Sequence, residues 1–476
     1  MKVVVVGGGI AGLAAAHRAV EIARERSLPL ELTVLEARDR LGGTIATERA
    51  GGFLLENGPD SFLSEKPWAL ALCRRLGLED RLVGTDERFR RTFVWHGGRL
   101  HPLPEGFQLL APTRLRPFVT SSLFSWRGKA RMALDLVLPR GATGADESLG
   151  AFVRRRLGRE ALERVAQPLV AGIYTADPDE LSLAATMPRF LELERAQRSV
   201  ILALWRASRN VPAVRTGVSG ARWSLFVSLQ GGMGELVEAL AARLPAGAVH
   251  LERRVNSLSR ADRGWRLDLG SGESLAADAV IVATESYVAS RLLRYVDPAA
   301  ASLLAEITCA SSATVTLAYR QTDVPRPLDG FGFVVPRVER RALLACTFSS
   351  VKYPGRAPEG LVLLRNFLGG ALDAGMLDRG DGDLVATARA ELREALGIAA
   401  DPILVRVHRW PHAMPQYRVG HLDRVDAIEH ALDRLPGLHL AGGGYRGVGI
   451  SDCVRSGEAA AERALGVVDA LSARRT

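Results

Sequence analysis

Lysine is nearly missing from this sequence of 476 residues: it occurs only at Lys2, Lys66, Lys129 and Lys352, although basic residues outnumber acidic ones 62 to 53 and the formal net charge is +9. The positive charge is therefore almost all arginine, whose planar guanidinium suits bidentate contact with carboxylates and phosphates. These arginines are spread among acidic residues, with no basic arm and no nucleic-acid motif, so nucleic acid is not an expected partner. An acidic ligand or an anionic membrane surface would be favoured instead. Cysteine is scarce as well: Cys73, Cys309, Cys346 and Cys453 are isolated singles. Without a CxxC pair or a histidine cluster at ligand spacing, neither a disulfide framework nor a metal site is expected, and a reducing cytoplasm fits. No uninterrupted apolar stretch reaches the roughly 20 residues that span a bilayer. The apolar N-terminus has almost no basic flank and its small residues are glycines, so it does not read as a signal peptide. Internal repeats and low-complexity tracts are also absent, and no Ser/His/Asp or Cys/His constellation stands out.

What is present is a chain with 47% hydrophobic and 24% charged residues and a mean hydropathy of +0.06. That composition belongs to a folded globular protein, and the length calls for two or three domains.

The β-branched run Val3 to Val6 reads as a buried parallel strand, with a helix from about Ile10. Between them Gly7, Gly9 and Gly12 form G-x-G-x-x-G within "VVVVGGGIAGLAAAH". The first glycine permits a tight turn, the second lets backbone approach a pyrophosphate, and the third lets helix and strand pack closely. A second strand, Leu30 to Leu35, ends in Glu36, where a carboxylate can meet a ribose hydroxyl and would repel a 2′-phosphate.

A second glycine loop lies near the other end, in "GGGYRGVGISDC", between a short strand at Leu438 to Ala441 and a helix from about Ser451. It lacks the G-x-G-x-x-G spacing, so a second complete nucleotide site is not expected. One extended ligand facing both loops accounts for the pair, with the second helix N-terminus stabilising negative charge. Ser451 or Asp452 as a helix cap is the plainer reading and is compatible with it.

Between these ends, alternating runs flank a Ser271-Gly272 turn as a hairpin, and Ala279 to Thr284 returns to the parallel sheet. The expected organisation is α/β: a discontinuous Rossmann-like nucleotide domain from 1–65, 215–285 and 437–476, a mixed-sheet substrate domain from 66–90 and 286–436, and a helical insert over 91–214. Strands at Ser311 to Tyr319, Gly332 to Val335 and Leu361 to Phe367 would form a wall of the site, beside helices at Asp381 to Leu396 and Asp423 to Leu435. The insert carries arginines at helical spacing. It reads either as a domain packed inward with a solvated arginine face, or as a membrane-facing element anchored by Phe118, Phe124 and Trp126.

"EARDRLGGT", Glu36 to Thr44, resembles the segment after the fingerprint in the flavin amine oxidase superfamily. Within it, "ENGPDSFLSEK", "LFSWRGKARMALDLVLP", "LVAGIYTADPDELSL", "RWPHAMPQY" and "GVGISDC" resemble the flavin-dependent porphyrinogen oxidases of haem synthesis, closest to the Gram-positive-type coproporphyrinogen III oxidases. The resemblance runs through nearly the whole chain and implies noncovalent FAD. Gly7, Gly8, Gly9, Ile10, Ala11, Gly12, Leu35 and Glu36 would hold the ADP half. Thr44 and Asn57, Gly58, Pro59 and Asp60 would approach the flavin, completed by Val255, Trp410, Val448, Gly449 and Ile450. The family pattern often has a basic residue where Thr44 stands and arginine where Asn57 stands. Lys66 would face a substrate propionate, and Gly172, Ile173 and Tyr174 would line the macrocycle pocket.

The implied reaction removes six electrons from a porphyrinogen in three rounds, each passing a hydride to flavin N5, with oxygen reduced to hydrogen peroxide. No side-chain nucleophile is required. His408, His412 and His421 stand near "RWPHAMPQY" as proton shuttles or, more plainly, as structural or exposed histidines. Protoporphyrinogen IX is the alternative substrate. Peripheral membrane contact thus rests on the insert alone, and a transient contact with the next haem-pathway enzyme joins the expected partners. A flavin-free binding protein like the GDP-dissociation inhibitors would not need Gly7, Gly9, Gly12 and Glu36 together, and an amine oxidase would need an aromatic cage where the C-terminal loop offers only Tyr445.

Overall fold

The computed structural model describes residues 1–108, 111–112, 114–141, 146–210, 224–270 and 272–466. The expected boundary at 214/215, the turn residue Ser271 and the segment after 466 lie outside the described residues. Two sheets organise the rest. The first is five-stranded and parallel, in the order Val249–His250, β2 (Glu31–Leu35), β1 (Lys2–Val6), Ala279–Val282 and Leu438–Leu440. Its strands come from three distant parts of the chain, 2–35, 249–282 and 438–440, as the discontinuous α/β reading requires. Every residue of β1 except Lys2 is buried, because helices cover one face and a three-stranded meander the other.

On the helical face, α1 (Ile10–Glu25) packs along the Ile450–Ala464 helix. Their contact is backbone-close: any side chain at Gly457 would collide with the Ala11 carbonyl. The opposite face is covered by the meander Ser257–Arg260, Trp265–Gly270 and Glu273–Ala277, by helices Ser286–Leu293 and Pro298–Ala305, and by His421–Leu432.

The second sheet has seven strands, in the order β5 (Leu404–Pro415), β3 (Cys309–Arg320), β4 (Leu361–Gly369), Leu343–Phe348, Gly332–Val334, Thr92–His96 and Arg99–Pro102. It is mixed, since only Gly332–Val334 and Thr92–His96 pair in parallel. A helical unit with its own core, including Phe118, Phe124, Phe152 and Val170, sits beside it.

Several sequence boundaries differ from these packing units. Residues 92–102, expected in the helical insert, extend the seven-stranded sheet because Thr92 to Val94 find a parallel partner at its edge and Phe93 to His96 pair antiparallel with Arg99–Pro102. Helix α2 (Pro67–Arg75), expected with the substrate domain, buries Ala69, Leu70, Leu72 and Cys73 in the nucleotide-side core against the Ile450–Ala464 helix. The helices at 286–305 and 421–432 likewise pack under the parallel sheet.

Candidate functional site

The fingerprint glycines follow β1 into α1. Gly7 N–H donates to Leu35 O at 2.8 Å, Gly42 N–H donates to Gly8 O at 2.9 Å, and so the 7–9 turn is held between the end of β2 and the 41–44 loop. A Cβ on Gly12 would strike the Gly7 carbonyl, so helix and turn can approach only through glycine. Gly9 is different: a Cβ there would meet nothing nearer than Gly43 Cα at 3.8 Å, and would instead fill the gap between the two loops. Ile10 and Ala11 turn their side chains into the core, which leaves their amides at an α1 N-terminus with no side-chain cap. Such a terminus favours an anion.

Glu36 is buried at the end of β2, where its Oε2 accepts from Gly8 N at 2.7 Å and its Oε1 from Arg38 N at 2.8 Å. Leu35 is buried beside it, and the Arg253 N–H on Glu36 O brings the chain leading to Val255 to the same edge. Arg40 donates to the carbonyls of Leu41, Gly43 and Ile45, shaping the loop that carries exposed Thr44. Gly58 lies against the Thr44 carbonyl too closely for any side chain.

The Asn57–Asp60 segment connects this region to the seven-stranded sheet. Trp410 Nε1 donates to Asn57 O at 2.8 Å and Thr314 Oγ1 to the same oxygen at 3.3 Å, while Arg365 Nη2 donates to Gly58 O. Lys352 Nζ lies 3.0 and 2.9 Å from the two Asp60 carboxylate oxygens. Burial alone would raise the Asp60 carboxyl, but Lys352 and Arg365 hold it well below the ordinary carboxylate range. Its side chain is thus spent on Lys352 and Ser61. Sequence reasoning missed Lys352, Arg365 and Thr314. The signal for Lys352 was its rarity: of the four lysines, Lys66 and Lys352 hold carboxylates beside these loops and Lys129 donates to Val119 O from a buried position.

At the second loop, Tyr417 OH donates to Gly443 O at 2.6 Å and accepts from Gly447 N at 2.8 Å, fixing the turn before the Ile450–Ala464 helix. Gly449 is the N-cap residue and no side chain caps that end; the expected Ser451 or Asp452 cap is corrected, because both residues lie inside the first turn and reach toward residue 66. Lys66 Nζ sits 2.5 Å from Asp452 Oδ2, and Ser451 Oγ donates to Lys66 O at 3.3 Å. Val448 packs on the helical unit and Ile450 in the nucleotide-side core, so this loop bridges the two. Gly172 and Ile173 are exposed at the end of the Gln167–Tyr174 helix. Tyr174 is half-buried, and burial together with the charge of Asp452 pushes its hydroxyl up to about 12. Lys66, Asp452 and Tyr174 therefore share one neighbourhood.

The three histidines separate. His421 is fully buried, with Nε2 at 2.7 Å from Tyr445 O and its ring stacked on Tyr417; burial lowers it to about 4, which makes it structural. Burial also lowers His408, which lies beside Trp410, and His412 is exposed.

Residues 10–465 match the family of flavin containing amine oxidoreductases. The chain belongs to that family. It is 38% identical to the coproporphyrinogen III oxidase of Bacillus subtilis (strain 168) over 464 residues, 97% of each chain. It is 32% identical to chloroplastic protoporphyrinogen oxidase 1 of Arabidopsis thaliana, over 98% of this chain and 88% of that one. Among solved structures, a protein of Exiguobacterium sp. 255-15 provisionally described as a protoporphyrinogen oxidase superposes with a TM-score of 0.84 at 34% identity, covering 97% and 98% of the two chains. Cyclohexylamine oxidase of Brevibacterium oxydans IH-35A shares the fold, with a TM-score of 0.70 at 18% identity. The protein is an FAD-dependent oxidoreductase. Its residues suit that cofactor: the Gly9–Gly43 gap is a cradle a Cβ would fill, two uncapped helix ends offer amides, and the buried Nε of Arg365 has no partner among the described residues.

Proposed function

We propose that the protein oxidises coproporphyrinogen III to coproporphyrin III with release of hydrogen peroxide, in haem synthesis. The higher identity to a coproporphyrinogen III oxidase, 38% against 32% to a protoporphyrinogen oxidase over a similar share of the chain, supports this choice over protoporphyrinogen IX. FAD, bound noncovalently, supplies hydride acceptance from the macrocycle and transfer of electrons onward to oxygen. The chain's own residues bind and orient. Glu36 receives the ribose of the ADP half, and the α1 amides receive the pyrophosphate. Lys66 meets a propionate at the rim, where its ammonium sits half-exposed in the Asp452 pairing, and Ile173 and Tyr174 offer an apolar wall. Asp452 carries a negative charge into the first turn of the Ile450–Ala464 helix, and Lys66 offsets it. Aerobic turnover with each porphyrinogen supplied separately, following porphyrin fluorescence and peroxide together, tests the assignment. Preference for coproporphyrinogen is expected; preference for protoporphyrinogen would replace it, and no turnover of either by flavin-loaded protein would end it.

Membrane contact is a second reading, and here the anchors change. Phe118 and Phe124 are 5% and 4% exposed and pack in the helical unit, so they are not interfacial anchors. Trp126 is 72% exposed, with Leu115 at 75% and Val137 at 66% on the same stretch, among Arg114, Arg116 and Arg127. No described helix is long and apolar enough to cross a membrane, so the contact would be peripheral. Sedimentation with vesicles of anionic phospholipid, lost in Trp126→Ser and Leu115→Ser together, is the expected result; equal sedimentation of both proteins removes this face.

A further inference from the structure

The Asn57–Asp60 loop stands out because its oxygen atoms meet six side-chain donors. Asn57 O takes Trp410 and Thr314, Gly58 O takes Arg365, Asp60 O takes Ser228, and the Asp60 carboxylate takes Lys352 and Ser61. Apart from Ser61, which follows Asp60 in the chain, the donors stand on β3, β4, β5, the Phe226–Leu229 strand and the Ser349–Lys352 helix. Most of them are therefore not part of the unit that carries the fingerprint. Lys352 is held in turn: its side chain is 14% exposed, and its ammonium lies 5.3 and 5.2 Å from the ring centres of Phe226 and Tyr353. An ion pair this enclosed has a defined geometry and little screening.

We propose that Lys352 is a positioning residue of the flavin site, a strut that acts through Asp60 to press the Asn57–Asp60 loop into the shape that receives the cofactor. The inference rests on the reading that this loop borders the flavin. It assigns Asp60 to the strut and takes it out of direct cofactor contact. Arg365, bonded to Gly58 O, braces the same loop two residues earlier, so loss of Lys352 loosens one end of the loop and leaves the other tied.

The test uses the full-length holoenzyme and three variants. Lys352→Met is expected to weaken FAD binding on the order of tenfold or more and to shift the visible bands of bound flavin, with circular dichroism unchanged. Lys352→Arg, which can still meet a carboxylate, should recover most of both. Asn57→Trp reports on the underlying reading, because an indole beside the isoalloxazine should quench flavin fluorescence. Should Asn57→Trp quench while Lys352→Met leaves affinity and spectrum as in the parent, the strut is wrong and the loop reading stands. If Asn57→Trp leaves flavin fluorescence and bands untouched, the loop reading falls and the strut with it. Equal loss in Lys352→Met and Lys352→Arg would also overturn the proposal, since the charge would then not be what holds the loop. If Lys352→Met does not fold, Asp60→Asn replaces it: a shifted flavin spectrum supports the strut and an unshifted one overturns it.

Discussion

Lys66 and Glu56 show how burial decides what a charged side chain does. Lys66 keeps 41% of its side chain exposed beside Asp452, and its pairing needs nothing from the fingerprint loop. Lys66→Ala should therefore retain FAD at wild-type stoichiometry while raising KM for porphyrinogen about tenfold or more, the loss of one charged contact. Steady-state kinetics with absorbance at the flavin bands checks both parts. Glu56 is enclosed, and burial raises its carboxyl to about 7 despite bonds from Met233 N and Thr47 Oγ1. Because the folded state holds this proton more tightly than the unfolded chain, its contribution to stability is complete below about 4.5 and is lost as pH rises through about 7. Denaturant melts at pH 5 and pH 8 should show the wild type losing on the order of 2 kcal/mol relative to Glu56→Gln across that interval.

At the scale of elements, the strand-turn-helix around Gly7, Gly9 and Gly12 was legible because its chemistry is local: spacing, β-branched strand and terminal acid all lie within one short stretch. β1, α1 and β2 appear within a residue or two of where alternation and glycine placed them. Gly9→Val would push a branched side chain into the Gly9–Gly43 gap, and the expected outcome is colourless, folded protein. Full flavination of that variant, read by absorbance after desalting, would contradict the placing. What the sequence did not disclose were partners far apart in the chain. Lys352 meets Asp60 across 292 positions and Lys66 meets Asp452 across 386, and nothing in periodicity selects one carboxylate among 53. The strands at 92–102 were hidden for a similar reason, since their pairing energy comes from Gly332–Val334, an edge that local pattern does not reveal.

For the molecule as a whole, the cofactor site proposed above would draw on segments near residues 7, 36, 57, 255, 365, 410 and 449, from both sheets. A cofactor in contact with so many segments stabilises the fold by mass action, so the melting temperature of protein stripped of FAD should rise steadily as FAD is added back in excess. An unmoving transition would show that the segments are already locked without it. The Gly457–Ala11 contact ties the helix of the fingerprint to one of the segments most distant from it in sequence. A polypeptide cut before residue 450 keeps every fingerprint glycine but leaves this face of α1 uncovered, so it should take up no flavin.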